Sequence, residues 1–225
     1  MYYVIDEDKT YTYEILMEKH LEESAKLLAY TFSQQNPVEV YLKTTYEQFY
    51  LYALAVLKAT LEDQLSIIAV HKETKEIYGL VQATDAKTLE GQNFDDVDPS
   101  KDTLEILQEV ENRFMKQYGE LKENDLVQIL MVGVRQECSG KGLATKLQQI
   151  LLVHCDQRGF KYVFVEVANP ATYHIYTKKL KGKEFTSISL STFVTSDGRK
   201  PFLHYHGEIQ LIVFDLQQRR ITECF

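Results

Sequence analysis

The chain has no tryptophan, three cysteines and four prolines in 225 residues, and it lacks any apolar run approaching about 18 residues. That missing run excludes a membrane-spanning helix. Cys138, Cys155 and Cys224 are odd in number and match neither a zinc spacing nor a disulfide framework, so a reduced, cytoplasmic protein without a metal is expected. The opening stretch "MYYVIDEDKTYTYEI" lacks the basic region and apolar core of a secretory leader. Positive charge is scarce too. With 25 Lys and Arg against 33 Asp and Glu, the formal net charge is −8, which argues against a grip on nucleic-acid phosphates.

Hydrophobic residues make up 44% of the chain, ample for the core of one α/β domain over residues 1–225. "TYTYEILM" alternates as a strand does, and Leu21, Ala25, Leu28, Ala29 and Phe32 then recur at helical spacing up to Pro37. Tyr46, Phe49, Tyr50, Ala53, Leu57 and Leu61 mark a second, longer helical face. "LSIIAVH" and "IYGLVQAT" read as a hairpin, and the acidic "DAKTLEGQNFDDVDPSK" as a surface loop. Leu104, Leu107, Val110, Phe114 and Tyr118 give another helix, before the nearly unbroken apolar run "LVQILMVGV", a strand buried on both faces.

A helix from Leu143 should stop at Gly159, and "YVFVEV" is the next strand. "NPATYHIYTKK" begins with an asparagine cap and a proline, the usual opening of a helix. The final segment reads as a long hairpin around Asp197-Gly198. The order β-α-α-β-β-α-β-α-β-α-β-β implies a mixed sheet of seven strands with helices on both faces.

Between the central strand and its following helix lies "VRQECSGKGLATKL", a glycine turn of the kind that holds phosphate. Gly140-Lys141 is followed by Gly142 instead of Ser or Thr, so it is no ATPase loop, and Thr145 stands where a dinucleotide fingerprint needs a third glycine. What remains is a turn feeding a helix N-terminus, whose free N–H groups and dipole favour an anion.

Ser139-Gly140-Lys141-Gly142-Leu143-Ala144 resembles the [QR]-x-x-G-x-[GA] turn of the GNAT superfamily of acetyl-CoA-dependent N-acetyltransferases, with Ser139 replacing the leading Arg or Gln. A second segment, with Asn169, Thr172, Ile175, Tyr176 and Lys178, resembles that family's N-x-x-A-x-x-L-Y-x-K pattern. The specific likeness spans about Leu130 to Lys178, and the "GF" usual after the helix is replaced by "LKGKEF". The long second helix, acidic insert and extended last hairpin are similar to the arylalkylamine type.

The resemblance implies an α/β fold with a mostly antiparallel sheet and a splayed parallel pair in its middle, "LVQILMVGV" beside "YVFVEV". The pantetheine arm of acetyl-CoA would pair with backbone from Met131 to Val134, including Val132, whose N–H would polarise the thioester carbonyl. The diphosphate would sit on N–H groups of Gly140, Lys141, Gly142, Leu143, Ala144 and Thr145, beside Ser139. Lys141 is equally readable as a solvated loop lysine. Asn169 would contact the coenzyme, and Tyr176 would be the general acid that protonates the departing thiolate.

The general base is open. Gln128 and Asn36 stand where relatives carry carboxylates, and Glu166 is preferred over Glu39, His174, His204 and His206 because it lies one strand residue before the splay closes. The implied activity is acetyl transfer to a primary amine of a small molecule by a monomer or homodimer, with no nucleic-acid or membrane partner. The alternatives are a peptide or protein lysine or N-terminal acetyltransferase, or a coenzyme A-binding protein with weakened catalysis.

Overall fold

In the computed structural model, residues 3–218 are described except 93, 95, 98–100 and 120. Cys224 and part of the acidic insert therefore lie outside the described residues. Among the described residues eight strands form one sheet: β1 (Val4–Glu7), β2 (Tyr11–Ile15), β3 (Ile67–His71), β4 (Ile77–Asp85), β5 (Leu126–Val134), β6 (Tyr162–Val167), β7 (Lys183–Ser189) and β8 (Glu208–Asp215). Their order is β1-β2-β3-β4-β5-β6-β8-β7, antiparallel throughout except for β5 against β6. The strand beyond the expected seven is β1. Its "VIDE" shows no apolar alternation, and it pairs with β2 through an irregular register at the sheet edge.

Helices α1 (Leu21–Gln35), α2 (Pro37–Leu42), α3 (Tyr46–Ala59) and α4 (Lys101–Tyr118) cover one face, and α5 (Leu143–Gln157) covers the other. The short α6 (Pro170–His174) runs into a π-helical turn over Ile175–Lys179. Two glycines set how closely the helices approach the sheet. A Cβ on Gly79 would lie 2.8 Å from Leu147 of α5, and one on Gly133 would lie 3.0 Å from Thr31 of α1. Proline 37 both ends α1 and begins α2, because Asn36 caps the new helix by accepting from the N–H groups of Val38 (3.0 Å) and Glu39 (3.2 Å).

The Asp197-Gly198 turn is present, with the Gly198 N–H bonded to the Thr195 carbonyl at 2.9 Å, but the strands flanking it stop well short. Residues 190–207 instead fold over α4. Arg199 pairs with Asp102 at 2.9 Å, the Ser196 N–H donates to Glu105 at 2.8 Å, and Phe202 is fully buried. Burying Leu190 and Phe202 outweighs extending the ladder. Among the described residues no helix is long and apolar enough to cross a membrane.

Gly182, which stands in the "LKGKEF" segment, closes the π-helical turn by donating to the Tyr176 carbonyl at 2.8 Å. A Cβ there would lie 2.6 Å from Ile212 and 2.7 Å from Phe214, whose ring packs against Tyr176. Gly182→Ala is therefore expected to destabilise the fold by about 1–3 kcal/mol through overpacking, read as a lower urea midpoint at unchanged slope. An unchanged midpoint would mean that β8 yields freely at this point.

Candidate active site

The ladder between β5 and β6 runs from Leu126↔Tyr162 to Ile129↔Val165 and stops. On the other side of β5 the register shifts at the same level: Ala83 pairs with Ile129 but Gln82 pairs with Met131, which leaves Leu130 as a β-bulge. A bulge bends and twists its strand. Here it turns β5 away from β6, which stays paired with β8 as far as Val167↔Gln210. The bulge also places consecutive side chains, Leu130 and Met131, against the cluster under α1 and α3.

Which backbone groups face the gap follows from the antiparallel alternation. The Arg135 N–H donates to the Tyr78 carbonyl at 2.9 Å, so Gly79↔Val134 is a non-hydrogen-bonded pair. Counting back, Gly133 and Met131 direct their N–H and C=O groups to β4. Val132 and Val134 direct theirs into the gap. Of the backbone expected to meet the coenzyme, Met131 is therefore engaged by β4 and contributes its buried side chain to the cleft wall.

Below the gap lies the glycine turn. Gly140 and Gly142 have φ of 71° and 90°, left-handed values that favour glycine. Cys138 accepts from the Lys141 N–H at 3.1 Å, and α5 then starts at Leu143 without a side-chain cap. Leu143, Ala144 and Thr145 form its first turn, and the first bond returning to the turn is from Lys146 to Gly142 at 3.0 Å. Helix-start N–H groups without a protein acceptor suit a diphosphate. Lys141 is exposed, and Lys146 is held by Asp6 at 2.7 Å.

The gap opens into a cleft of about 250 Å³ lined by Val132, Val134, Ser139, Ala144, Asn169 and Tyr176, among others. Three of the buried side-chain polar atoms without a partner line it: Tyr176 Oη, Gln148 Oε1 and Glu166 Oε1. An orphaned buried polar atom costs about 1–3 kcal/mol, which a ligand can recover. Tyr176 is fully buried on the π-helical turn, a feature often found at functional sites. Burial pushes its phenol above the ordinary value, so it stays protonated. Asn169 caps α6 through the Ala171 N–H at 2.9 Å and lines the cleft as well.

Glu166 is the first β6 residue beyond the ladder, and burial raises its carboxyl to about 8; Glu111 adds to the rise and Gln128 opposes it. It lines the cleft and also a second cavity of about 130 Å³ on the α1, α3 and α4 side. Phe32, Asn36, Leu130, Met131 and Ala168 are likewise common to both, so the two spaces meet at the bulge. Glu39 lines only the second cavity, and Asn36 is taken up as the α2 cap. His174, His204 and His206 are exposed and line neither space.

Sequence reasoning missed Gln148, which sits on the buried face of α5 and donates to the Ala144 carbonyl at 2.9 Å. Its signal was a polar residue interrupting an apolar helical face, directly after Leu147. Phe49 of α3 and Leu104 and Leu107 of α4 were legible as parts of helix faces, but not as walls of a cavity, and Tyr52 of α3 was not picked out. Among the described residues no group of three or more His, Cys, Asp or Glu is arranged to hold a metal ion.

No curated protein sequence matches the chain. Several solved structures share its fold. The C-terminal condensation domain of Ebony, solved in complex with beta-alanyl-dopamine, is 18% identical over 89% of this chain and 96% of that one, with a TM-score of 0.77. Arylalkylamine N-acetyltransferase 2 from Aedes aegypti is 17% identical over 91% and 98%, with a TM-score of 0.71. The polyamine N-acetyltransferase of Drosophila melanogaster is 14% identical over 87% and 96%, with a TM-score of 0.65. At these identities the likeness is one of fold. The model of the acetyltransferase (GNAT) family matches residues 35–181, from the end of α1 to the turn before β7. That match takes in the bulge, the parted strands, the glycine turn and Tyr176, and the protein belongs to the GNAT acetyltransferase family.

Proposed function

We propose that this protein transfers an acetyl group from acetyl-CoA to the primary amine of a small molecule by direct attack. The observation that carries the reading is the buried, unpartnered Tyr176 hydroxyl, which lines the same cleft as the parted strands and the uncapped start of α5. Bound acetyl-CoA would supply an acyl group activated as a thioester. Val132 and Val134 would pair with the pantetheine amides, and the first turn of α5 would hold the diphosphate.

In the reaction itself the Val132 N–H would stabilise negative charge on the carbonyl oxygen as the C–N bond forms. Glu166, where cleft and cavity meet, would accept the amine proton. Tyr176 would donate a proton to sulfur as the C–S bond breaks, and solvent would restore both groups between turnovers. A small acceptor is supported by the cavity's size and by its walls, since α2 is closed against residues 190–207 through Tyr41, 5.1 Å from the Tyr205 ring. An extended peptide would need an open groove. The arylalkylamine and polyamine N-acetyltransferases that share the fold act on small amines by name, in keeping with this reading.

Release of free thiol from acetyl-CoA across a panel of small amines tests the activity. Coenzyme A binding without thiol release would leave a binding protein, and release only with peptides would favour the polypeptide alternative. Tyr176→Phe is expected to lower kcat on the order of 10²-fold, with coenzyme A affinity within a few-fold of the parent. Equal turnover would remove Tyr176 from the chemistry.

The pH dependence has two opposite signs. As a base Glu166 works deprotonated, so kcat/KM should rise with pH through about 8, where its carboxyl titrates, and level off above that. Stability should move the other way. The native carboxyl keeps its proton up to about 8 whereas the unfolded chain loses it near the ordinary 4.5, so stability falls as pH rises between these values. Glu166→Gln should therefore raise Tm relative to the parent at pH 8 and change it little at pH 4.5. The same Tm difference at both pH values would show that Glu166 is not held protonated.

A further inference from the structure

Leu147 of α5 and Val134 of β5 meet at Gly79, where a Cβ would lie 2.8 Å from the first and 3.2 Å from the second. The next residue of α5, Gln148, is turned about 100° further around the helix, and its side chain lines the cleft between the parted strands. It is 1% exposed. Its Nε2 donates to the Ala144 carbonyl at 2.9 Å, which fixes the carboxamide and leaves Oε1 buried with no partner. Of the three orphaned groups on the cleft wall, the Tyr176 hydroxyl and the protonated Glu166 carboxyl can both donate. Gln148 Oε1 can only accept.

Packing does not call for an amide at this position. An unpaired oxygen in a protein interior is destabilising, and on a helix face that also buries Leu147 and Leu151 a methionine would fill the place without that cost. A hydrogen-bond donor arriving with a ligand removes it.

The acyl donor carries such a group at this level. Val132 and Val134 direct N–H groups into the gap two residues apart, about 6.8 Å along the strand. In an extended thioester arm, the thioester carbonyl and the nearest amide carbonyl are about five bonds apart, roughly 6 Å. With the Val132 N–H on the first carbonyl, the Val134 N–H meets the second. A trans amide holds its N–H opposite its C=O, so that N–H points away from β5 and needs an acceptor from another wall of the cleft. Gln148 stands beside Leu147, level with Val134.

We propose that Gln148 Oε1 accepts the N–H of the pantetheine amide nearest sulfur and is thereby a specificity-determining residue for the acyl donor. This rests on the acyl-transfer reading for the identity of that donor, but binding alone tests it. The contact holds the arm beside β5 and takes no part in proton transfer.

The probes are S-methyl coenzyme A and its analogue with an ester oxygen in place of the amide nitrogen nearest sulfur, which removes the N–H and keeps the carbonyl. In calorimetric titrations of the full chain the amide should bind roughly tenfold more tightly than the ester. In Gln148→Met, which removes the acceptor at similar volume, that ratio should fall about threefold or more. The ligand-free variant should melt at or above the Tm of the parent, because a buried unpaired oxygen has gone. The same amide-to-ester ratio in both proteins overturns the proposal. So does a lowered Tm with equal losses of affinity for both ligands, which would make Gln148 a structural residue of α5. Acetyl transfer to the amine panel is read separately. A ratio that falls in the variant without any transfer by the parent would sink the acyl-transfer reading and leave this contact standing, and transfer with an unchanged ratio would do the reverse.

Discussion

A strand in the middle of a sheet needs hydrogen-bond partners on both sides, and past Leu130 β5 has them on one side only. Unpaired backbone amides and carbonyls in a protein interior are costly. They persist here because the surrounding structure holds both strands in place. The register with β4 continues to Val134, α1 presses on Gly133, and β6 stays bonded to β8. The single extra residue at Leu130 is what separates the two strands, and its cost is repaid only when something of the right shape fills the gap. The remaining features of the site are arranged along that opening, with the uncapped helix start at one end, Tyr176 and Glu166 at its side, and the second cavity behind the bulge.

The same geometry divides labour between the two faces of the sheet. On the α5 side the packing is tight, with Leu147 and Leu151 fully buried, and this fixes the helix N-terminus against the end of β5. On the other face, α1, α3 and α4 leave a space between their apolar clusters, and the bulge directs Leu130 and Met131 into it. Acyl donor and amine would thus approach the same stretch of β5 from different sides. The carboxyl of Glu166 is raised because it is buried at this junction beside Glu111, where water has been displaced by side chains.

Much of this was legible in the sequence because its signals are local. Gly142 must adopt a positive φ, Asn169-Pro170 caps a helix whatever surrounds it, and the apolar run of β5 declares a central strand. What escaped depends on register and tertiary packing. β1 has no apolar alternation, since it is an edge strand whose residues are largely solvent-facing. The last hairpin was read as longer than it is because "FTSISLSTFVT" alternates, yet burial of Leu190 and Phe202 beside α4 captures the middle of that segment. Asn36, which stands where relatives carry a carboxylate, is a helix cap, while Glu39 three residues on lines the cavity. No spacing rule distinguishes those two roles.

Backbone-resolved hydrogen exchange, with and without acetyl-CoA, tests the parted strands most directly. The amides of Val132 and Val134 should become protected when the ligand binds, whereas those of Met131 and Gly133, already bonded to β4, should change little. Unaltered exchange at Val132 and Val134 under saturating acetyl-CoA would contradict the account at its base.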